Sequence, residues 1–221
     1  VFIGVDGPAE GVAVLTIRRA DKKNALSNEV RDEMSAALDG LAGDEDLKTL
    51  IVTGQGDVFS AGFDLSEFDR MGEPGFADTW MRSSDRWHRT VIQFPLPTIA
   101  AVNGPALAGG FDLAVMCDIR VAADTARFAH PEQTFSDVVY GPLHDLVGGA
   151  VARDLCMTGR PVSASEALGL RLVTAVVPAG QVVDEAHRLA ALVTRAPREV
   201  LVRTKAKAVR RAGVAGTTLD L

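Results

Sequence analysis

Two separated segments of this chain share one design, and that design limits what the chain can fold into. The first is Phe59-Ser60-Ala61-Gly62-Phe63-Asp64-Leu65. The second is Ala101-Val102-Asn103-Gly104-Pro105-Ala106-Leu107-Ala108-Gly109-Gly110-Phe111-Asp112-Leu113. Each reads as an apolar strand running into a turn of small residues and then into a helix start. Such turns expose backbone N–H groups, and a helix N-terminus adds the positive end of its dipole. Two of them facing each other would hold an oxyanion. The second segment carries Asp112 just past its glycines, and Glu132 follows after a pair of strands. The pattern points to chemistry on a carbonyl compound, with acids moving protons.

The surrounding sequence supplies a frame for these turns. Val12 to Ile17 reads as a strand and Lys22-Lys23-Asn24 as a turn. Ser27 then serves as an N-cap, with Glu29 in the first turn and Val30, Met34, Leu38 and Leu41 at helical spacing. Leu50 to Thr53 is a short buried strand. Strand, helix, strand in that order predicts a right-handed crossover, with the first turn at the carboxyl end of a strand. Phe76, Trp80, Trp87, Val91 and Phe94 mark a long amphipathic helix ended by Pro95 and Pro97, and both tryptophans read as core or interface. Thr98 to Val102, Asp118 to Ala122 and Ala126 to Ala129 are predicted strands. Beyond them the pattern turns helical. Ser163 to Glu166 forms a capping box with Gly169 as its stop, and Pro197 opens the last helix.

Composition removes several function classes. The net charge of −6 disfavours nucleic acid. No apolar run approaches the ~20 residues of a membrane span. The opening Val1-Phe2-Ile3-Gly4 has no charged n-region, so secretion is not expected and a cytoplasmic location is; the missing Met suggests that N-terminal residues precede it. Cys117 and Cys156 sit in apolar runs and read as buried thiols in a reducing compartment.

The motifs also exclude chemistries. No Gly-Lys-Ser/Thr follows Ala108-Gly109-Gly110, so it is no phosphate P-loop, and G-x-G-x-x-G is absent. Ser60 and Ser136 lack the G-x-S-x-G setting of a serine hydrolase. His88, His130, His144 and His187 show no ligand spacing, so no metal is expected. Asp112 alone could be a first-turn acid that suits the helix dipole, and Glu132 alone a surface carboxylate after Pro131. Together, one acid at each end of a cleft suits general acid–base work.

In this order the segments resemble the crotonase superfamily of enoyl-CoA hydratases and isomerases, from about Val12 to about Lys207. The resemblance rests on Asn24-Ala25-Leu26, Phe59 to Leu65, Ala100 to Asp118 with Ile119-Arg120, Pro131-Glu132, Thr158-Gly159-Arg160 to Gly169-Leu170, and Val173, Val176, Val177 and Pro178. It implies an α/β fold, a crotonase-like spiral of ββα units over residues 1–150, with a C-terminal helical region, 151–221, in the same functional unit. It implies an acyl-CoA thioester whose oxygen accepts from the backbone N–H groups of Phe63 and Gly109. The coenzyme A portion of the substrate, with no separate cofactor, would lie along Asn24, Ala25 and Leu26 and along Ala61, Gly62, Asp64 and Leu65. Glu132 and Asp112 would form the acid/base pair, and the chain would assemble as a homotrimer or hexamer.

The departures from the family pattern bear on the reaction. The first acid is Asp, shorter than the hydratase Glu. Dienoyl-CoA isomerases of the superfamily carry Asp then Glu at the same separation, 132 − 112 = 20. Their further Asp is replaced here by Tyr140, with Asp137 and Asp145 out of register. The usual glycine-rich stretch gives way to Gln133 to Leu146. Family members usually continue with further helices past the point corresponding to Leu221. Hydratase, double-bond isomerase and non-catalytic acyl-CoA-binding homologue are the readings carried forward.

Overall fold

The computed structural model describes residues 1–213, 218 and 221. The chain opens with β1 (Ile3–Ala9) and β2 (Val12–Ile17), an antiparallel pair, and β2 alternates buried with half-buried residues. Helix α1 (Asn28–Ala42) begins at Ser27, whose hydroxyl accepts from Val30 N at 3.4 Å. Its buried stripe, Val30, Met34, Leu38 and Leu41, is the one predicted from spacing. Then come β3 (Thr49–Gly54), α2 (Phe76–Ile92), β4 (Thr98–Val102), β5 (Ala106–Leu107), α3 (Gly109–Met116), β6 (Ile119–Ala123) and β7 (Arg127–Ala129). The C-terminal part carries α4 (Gly141–Thr158), β8 (Val162–Ser163), α5 (Ala164–Gly169), β9 (Ala175–Val177), α6 (Val182–Val193) and α7 (Arg198–Ala212).

Six strands form one sheet in the order β1-β2-β3-β4-β6-β9, parallel from β2 onward. A small second sheet runs β5-β7-β8. A parallel sheet is covered on both faces, which is why β3 and β4 are buried along their whole length. Their alternation divides two cores. Leu50, Val52, Ala100 and Val102 join the large core with α1, α2 and α3. Ile51, Ile99 and Ala101 face the other way, onto Val182, Ala186 and Ala190 of α6.

Buried charges tie helices to the sheet. Arg120 on β6 donates to the carbonyls of Ala114 (3.4 Å), Cys117 and Leu172 (2.7 Å), so it satisfies the open C-terminus of α3. Lys205 of α7 donates to both oxygens of Asp118 at 2.7 Å, and Asp118 also accepts from Thr98 N at 2.8 Å. Cys117 and Cys156 are both free and buried, as expected. No helix among the described residues is long and apolar enough to cross a membrane.

Some local expectations shift. β1 is an added strand, given order by its pairing with β2 and not by its own pattern. Ser163 caps α5, but Glu166 turns to Arg160 (2.8 Å) and leaves the reciprocal half of the capping box unmade. Gly169 is the last residue of α5, and the left-handed residue beyond it is Arg171, φ 61°. Pro197 stands one residue before α7. Trp87 is core, as read from the sequence, whereas Trp80 lines a cavity.

Packing is tight where α3 starts: a Cβ on Gly110 would come 2.3 Å from the Ser60 carbonyl oxygen. Gly110→Ala should therefore lower stability by about 1–3 kcal/mol. Gly180→Ala, with nothing within 4 Å of its added carbon, should stay within about 0.5 kcal/mol of wild type. Denaturant unfolding of the two variants checks the contrast, and equal losses would contradict it.

Candidate active site

The two glycine turns meet because β3 and β4 are adjacent parallel strands whose carboxyl ends point the same way. Ser60 holds the turns together. Its hydroxyl donates to Asn24 O at 2.8 Å and accepts from Gly62 N at 3.2 Å, while its carbonyl accepts from Leu107 N at 2.9 Å. Gly62 has φ +88°, and a Cβ there would lie 2.6 Å from Ala108 Cβ and 2.9 Å from Gly109 N. Gly109 in turn faces the Phe63 ring, at 2.9 Å from its would-be Cβ. Bare glycine at these places lets the two backbones touch. Among the described residues, neither Phe63 N nor Gly109 N donates to another backbone atom. Phe63 is held from behind, with the Arg31 guanidinium 4.5 Å over its ring.

Asp112 follows on the first turn of α3 and is buried. β7 runs parallel to β5, with Ala129 beside Leu107. The chain therefore leaves β7 next to Ala108, and the short turn Pro131–Thr134 brings Glu132 back towards Asp112. The expected acids thus reach one place. A third group joins them: His130 lies with Nδ1 3.0 Å from Glu132 Oε1 and 3.7 Å from Asp112 Oδ1, its ring 4.7 Å from that of Phe111. Sequence spacing had set His130 aside as one of four scattered histidines. Its proximity to Glu132 in the chain was the available signal, and the pairing of β5 with β7 supplies the rest.

Electrostatics follow from burial. Loss of solvent pushes the Asp112 carboxyl from 3.8 up to about 7; His130 pulls it down and the charge of Glu132 adds to the rise. For His130, burial lowers the pKa, but the Glu132 hydrogen bond and the Asp112 charge outweigh it and raise the pKa above its ordinary value. Asp112 Oδ1, Glu132 Oε2 and His130 Nε2 are buried without a hydrogen-bond partner among the described residues. The donor atoms of the three residues lie within 4.8 Å of one another. A cation there would compete with the proton that the Nδ1–Oε1 hydrogen bond already uses.

A cavity of about 290 Å³ opens beside these groups, lined by Ala61, Phe63, Gly109, Asp112 and Glu132 among others. Phe68, Trp80, Met81, His88 and the segment Phe135 to Val139 complete it. Leu65 also lines it and is 69% exposed. The other residues expected to bind ligand have structural duties. Asn24 is fully buried; its Nδ2 donates to Gln55 O and Val58 O at 2.9 and 2.7 Å. Leu26 is fully buried, and its N–H donates to Gly62 O at 2.8 Å. Ala25 and Gly62 are buried too, and of residues 24–26 only Ala25 keeps any exposed surface. Asp64 caps the turn Leu65–Arg70 and pairs with Arg19 at 2.6 Å.

The charge balance has a stability consequence. With its folded pKa above the ordinary value, Asp112 holds a proton in the folded state that the unfolded chain has released between pH ~4 and ~7. Its contribution to stability therefore falls as pH rises through that window. Asp112→Asn removes this loss and should stabilise the protein at pH 8, relative to its effect at pH 5, by at least about 1 kcal/mol. Thermal melts of both proteins at the two pH values test this; a parallel decline would contradict the assigned burial.

The comparisons with known proteins agree with one another. The family model described as Enoyl-CoA hydratase/isomerase matches residues 7–218. A putative enoyl-CoA hydratase of Thermus thermophilus is 39% identical over 184 residues, 81% of this chain and 73% of that protein. The crystal structure of an enoyl-CoA hydratase from Mycobacterium tuberculosis H37Rv superimposes with a TM-score of 0.82 at 34% identity, covering 96% of this chain and 90% of that one. An enoyl-CoA hydratase/isomerase from Xanthobacter autotrophicus Py2 gives 0.88 at 31% identity, covering 98% and 82%.

Proposed function

This chain belongs to the enoyl-CoA hydratase/isomerase family, and on that premise we propose that it acts on an enoyl-CoA thioester, with Glu132 and Asp112 as its acid/base pair. One observation carries the reading: the cavity that Phe63 and Gly109 border is also bordered by two carboxyls, each with a bare buried oxygen. The thioester oxygen would accept from Phe63 N and Gly109 N. Negative charge develops on that oxygen as the α-carbon loses its proton, and fixed donors stabilise it there. Glu132 Oε2 is the proton acceptor, since Oε1 is held by His130. The coenzyme A portion would run past the paired segments 24–26 and 61–63, which are joined by a bridge between Leu26 and Phe63. No separate cofactor enters the reaction, and assembly would be in threes, as a trimer or hexamer.

Within this reading, isomerisation has a specific observation in its favour. A hydratase needs a water held between its two acids. Here His130 Nδ1 lies close to an oxygen of each, at 3.0 and 3.7 Å. In isomerisation Glu132 takes the proton from one carbon and returns it to another along the conjugated chain, and no water is consumed. The imidazole between the acids suits that single-proton shuttle.

Assays with 2-enoyl-, 3-enoyl- and dienoyl-CoA thioesters test the proposal. Glu132→Gln keeps size and hydrogen bonding but removes the titrating group, so turnover should fall about 10²–10⁴-fold with acyl-CoA binding retained. Asp112→Asn should fall less for an isomerase and comparably for a hydratase. Binding of acyl-CoA by wild type without conversion would instead establish the non-catalytic homologue.

A further inference from the structure

Two side chains of α2 line the same cavity and carry buried polar atoms that the chemistry above leaves unused. His88 is 1% exposed. Its Nδ1 lies 3.0 Å from Ser84 O, one turn back on the helix, and 3.2 Å from Thr218 Oγ1. A carbonyl oxygen only accepts, so Nδ1 carries the ring proton. Burial lowers the His88 pKa to about 4, with nearby Arg31 adding to the effect, and the ring is neutral at physiological pH. Nε2 is therefore a lone-pair acceptor, and it has no partner among the described residues. Trp80 Nε1, a donor only, is likewise buried and unpartnered.

These are not random defects. Six buried side-chain polar atoms lack a partner among the described residues, and four of the six belong to residues lining this one cavity: Trp80, His88, Asp112 and Glu132. Buried polar atoms normally find partners, so a cluster around one cavity marks partners that a ligand would bring. The acids face the reacting carbons. His88 and Trp80, around the ring of Phe63, remain for the rest of the acyl group. A plain alkyl chain would strand both. An ammonium would meet Arg31, which lies 5.2 Å over the Trp80 ring. A carboxylate has no proton to give Nε2. A neutral hydroxyl donates and accepts.

We infer that this site selects an acyl group bearing a hydroxyl, whose O–H donates to His88 Nε2 while the Trp80 N–H donates to an oxygen of the same acyl group. The inference rests on the acyl-CoA reading above and adds its substrate class.

Binding separates the two. Titration calorimetry of the intact protein would compare saturated acyl-CoA thioesters of equal length, unsubstituted or with one hydroxyl moved along the chain beyond the third carbon, where hydration itself would place one; none of them undergoes turnover. One hydroxylated isomer should bind roughly 10- to 100-fold more tightly than the alkyl thioester. His88→Phe should abolish that preference while alkyl binding persists, and Trp80→Phe should reduce it. If His88→Phe fails to fold, the wild-type comparison and the imidazole Nε2 nitrogen shift still decide: that resonance should move on binding the preferred isomer and not on binding the alkyl thioester. Equal or tighter binding of the alkyl thioester than of every hydroxylated isomer would overturn the inference and leave the acyl-CoA reading intact. Failure of every CoA thioester to bind would overturn both.

Discussion

The structure depends on how closely two backbone turns can approach. Gly62, Gly109 and Gly110 sit where any Cβ would fall within 3 Å of the opposing turn or its side chains. Ser60 bonds to both sides of that contact. Ala108, between β5 and α3, adopts φ 50° and ψ −130°, a conformation that an L-residue holds only when its surroundings fix it. They do: its N–H donates to Ala129 O at 2.9 Å, and its carbonyl accepts from Phe111 N at 2.7 Å. The first of those bonds belongs to the contact with β7 that delivers His130 and Glu132. One local packing constraint therefore fixes the direction of two N–H groups and the separation of two acids.

Charge placement builds on that contact. An isolated buried carboxylate is costly, and here two share one site. The first turn of α3 favours negative charge at Asp112, and the imidazole of His130 lies between the acids. Arg31 balances the other side of Phe63, pairing with Glu67 at 3.8 Å and donating to Leu26 O at 2.7 Å. The same guanidinium disfavours a second cation near His88 and helps keep that ring neutral. The cavity is thus acidic beside Asp112 and Glu132 and neutral but polar along α2.

Much of the frame was legible in the chain because its signals are local. Val30, Met34, Leu38 and Leu41 mark one face of a helix whatever lies opposite. Ser27 and Ser163 cap because their hydroxyls reach an N–H three residues on. The glycine turns could be paired on paper because both follow apolar strands. Where a local signal depended on a remote partner, the reading slipped: Glu166 chose Arg160 over its capping role, and β1 formed because β2 offered it an edge.

By itself, the sequence determined the α/β succession, the two glycine turns, and the two acids set 20 positions apart, because periodicity, capping and turn chemistry act over a few residues. Only the tertiary structure decided which side chains converge. It drew His130 between the acids, withdrew the side chains of Asn24 and Asp64 into structural hydrogen bonds, and left His88 and Trp80 with bare polar atoms in one cavity. Side-chain direction and burial are set by neighbours far away in the chain, and no local pattern encodes them.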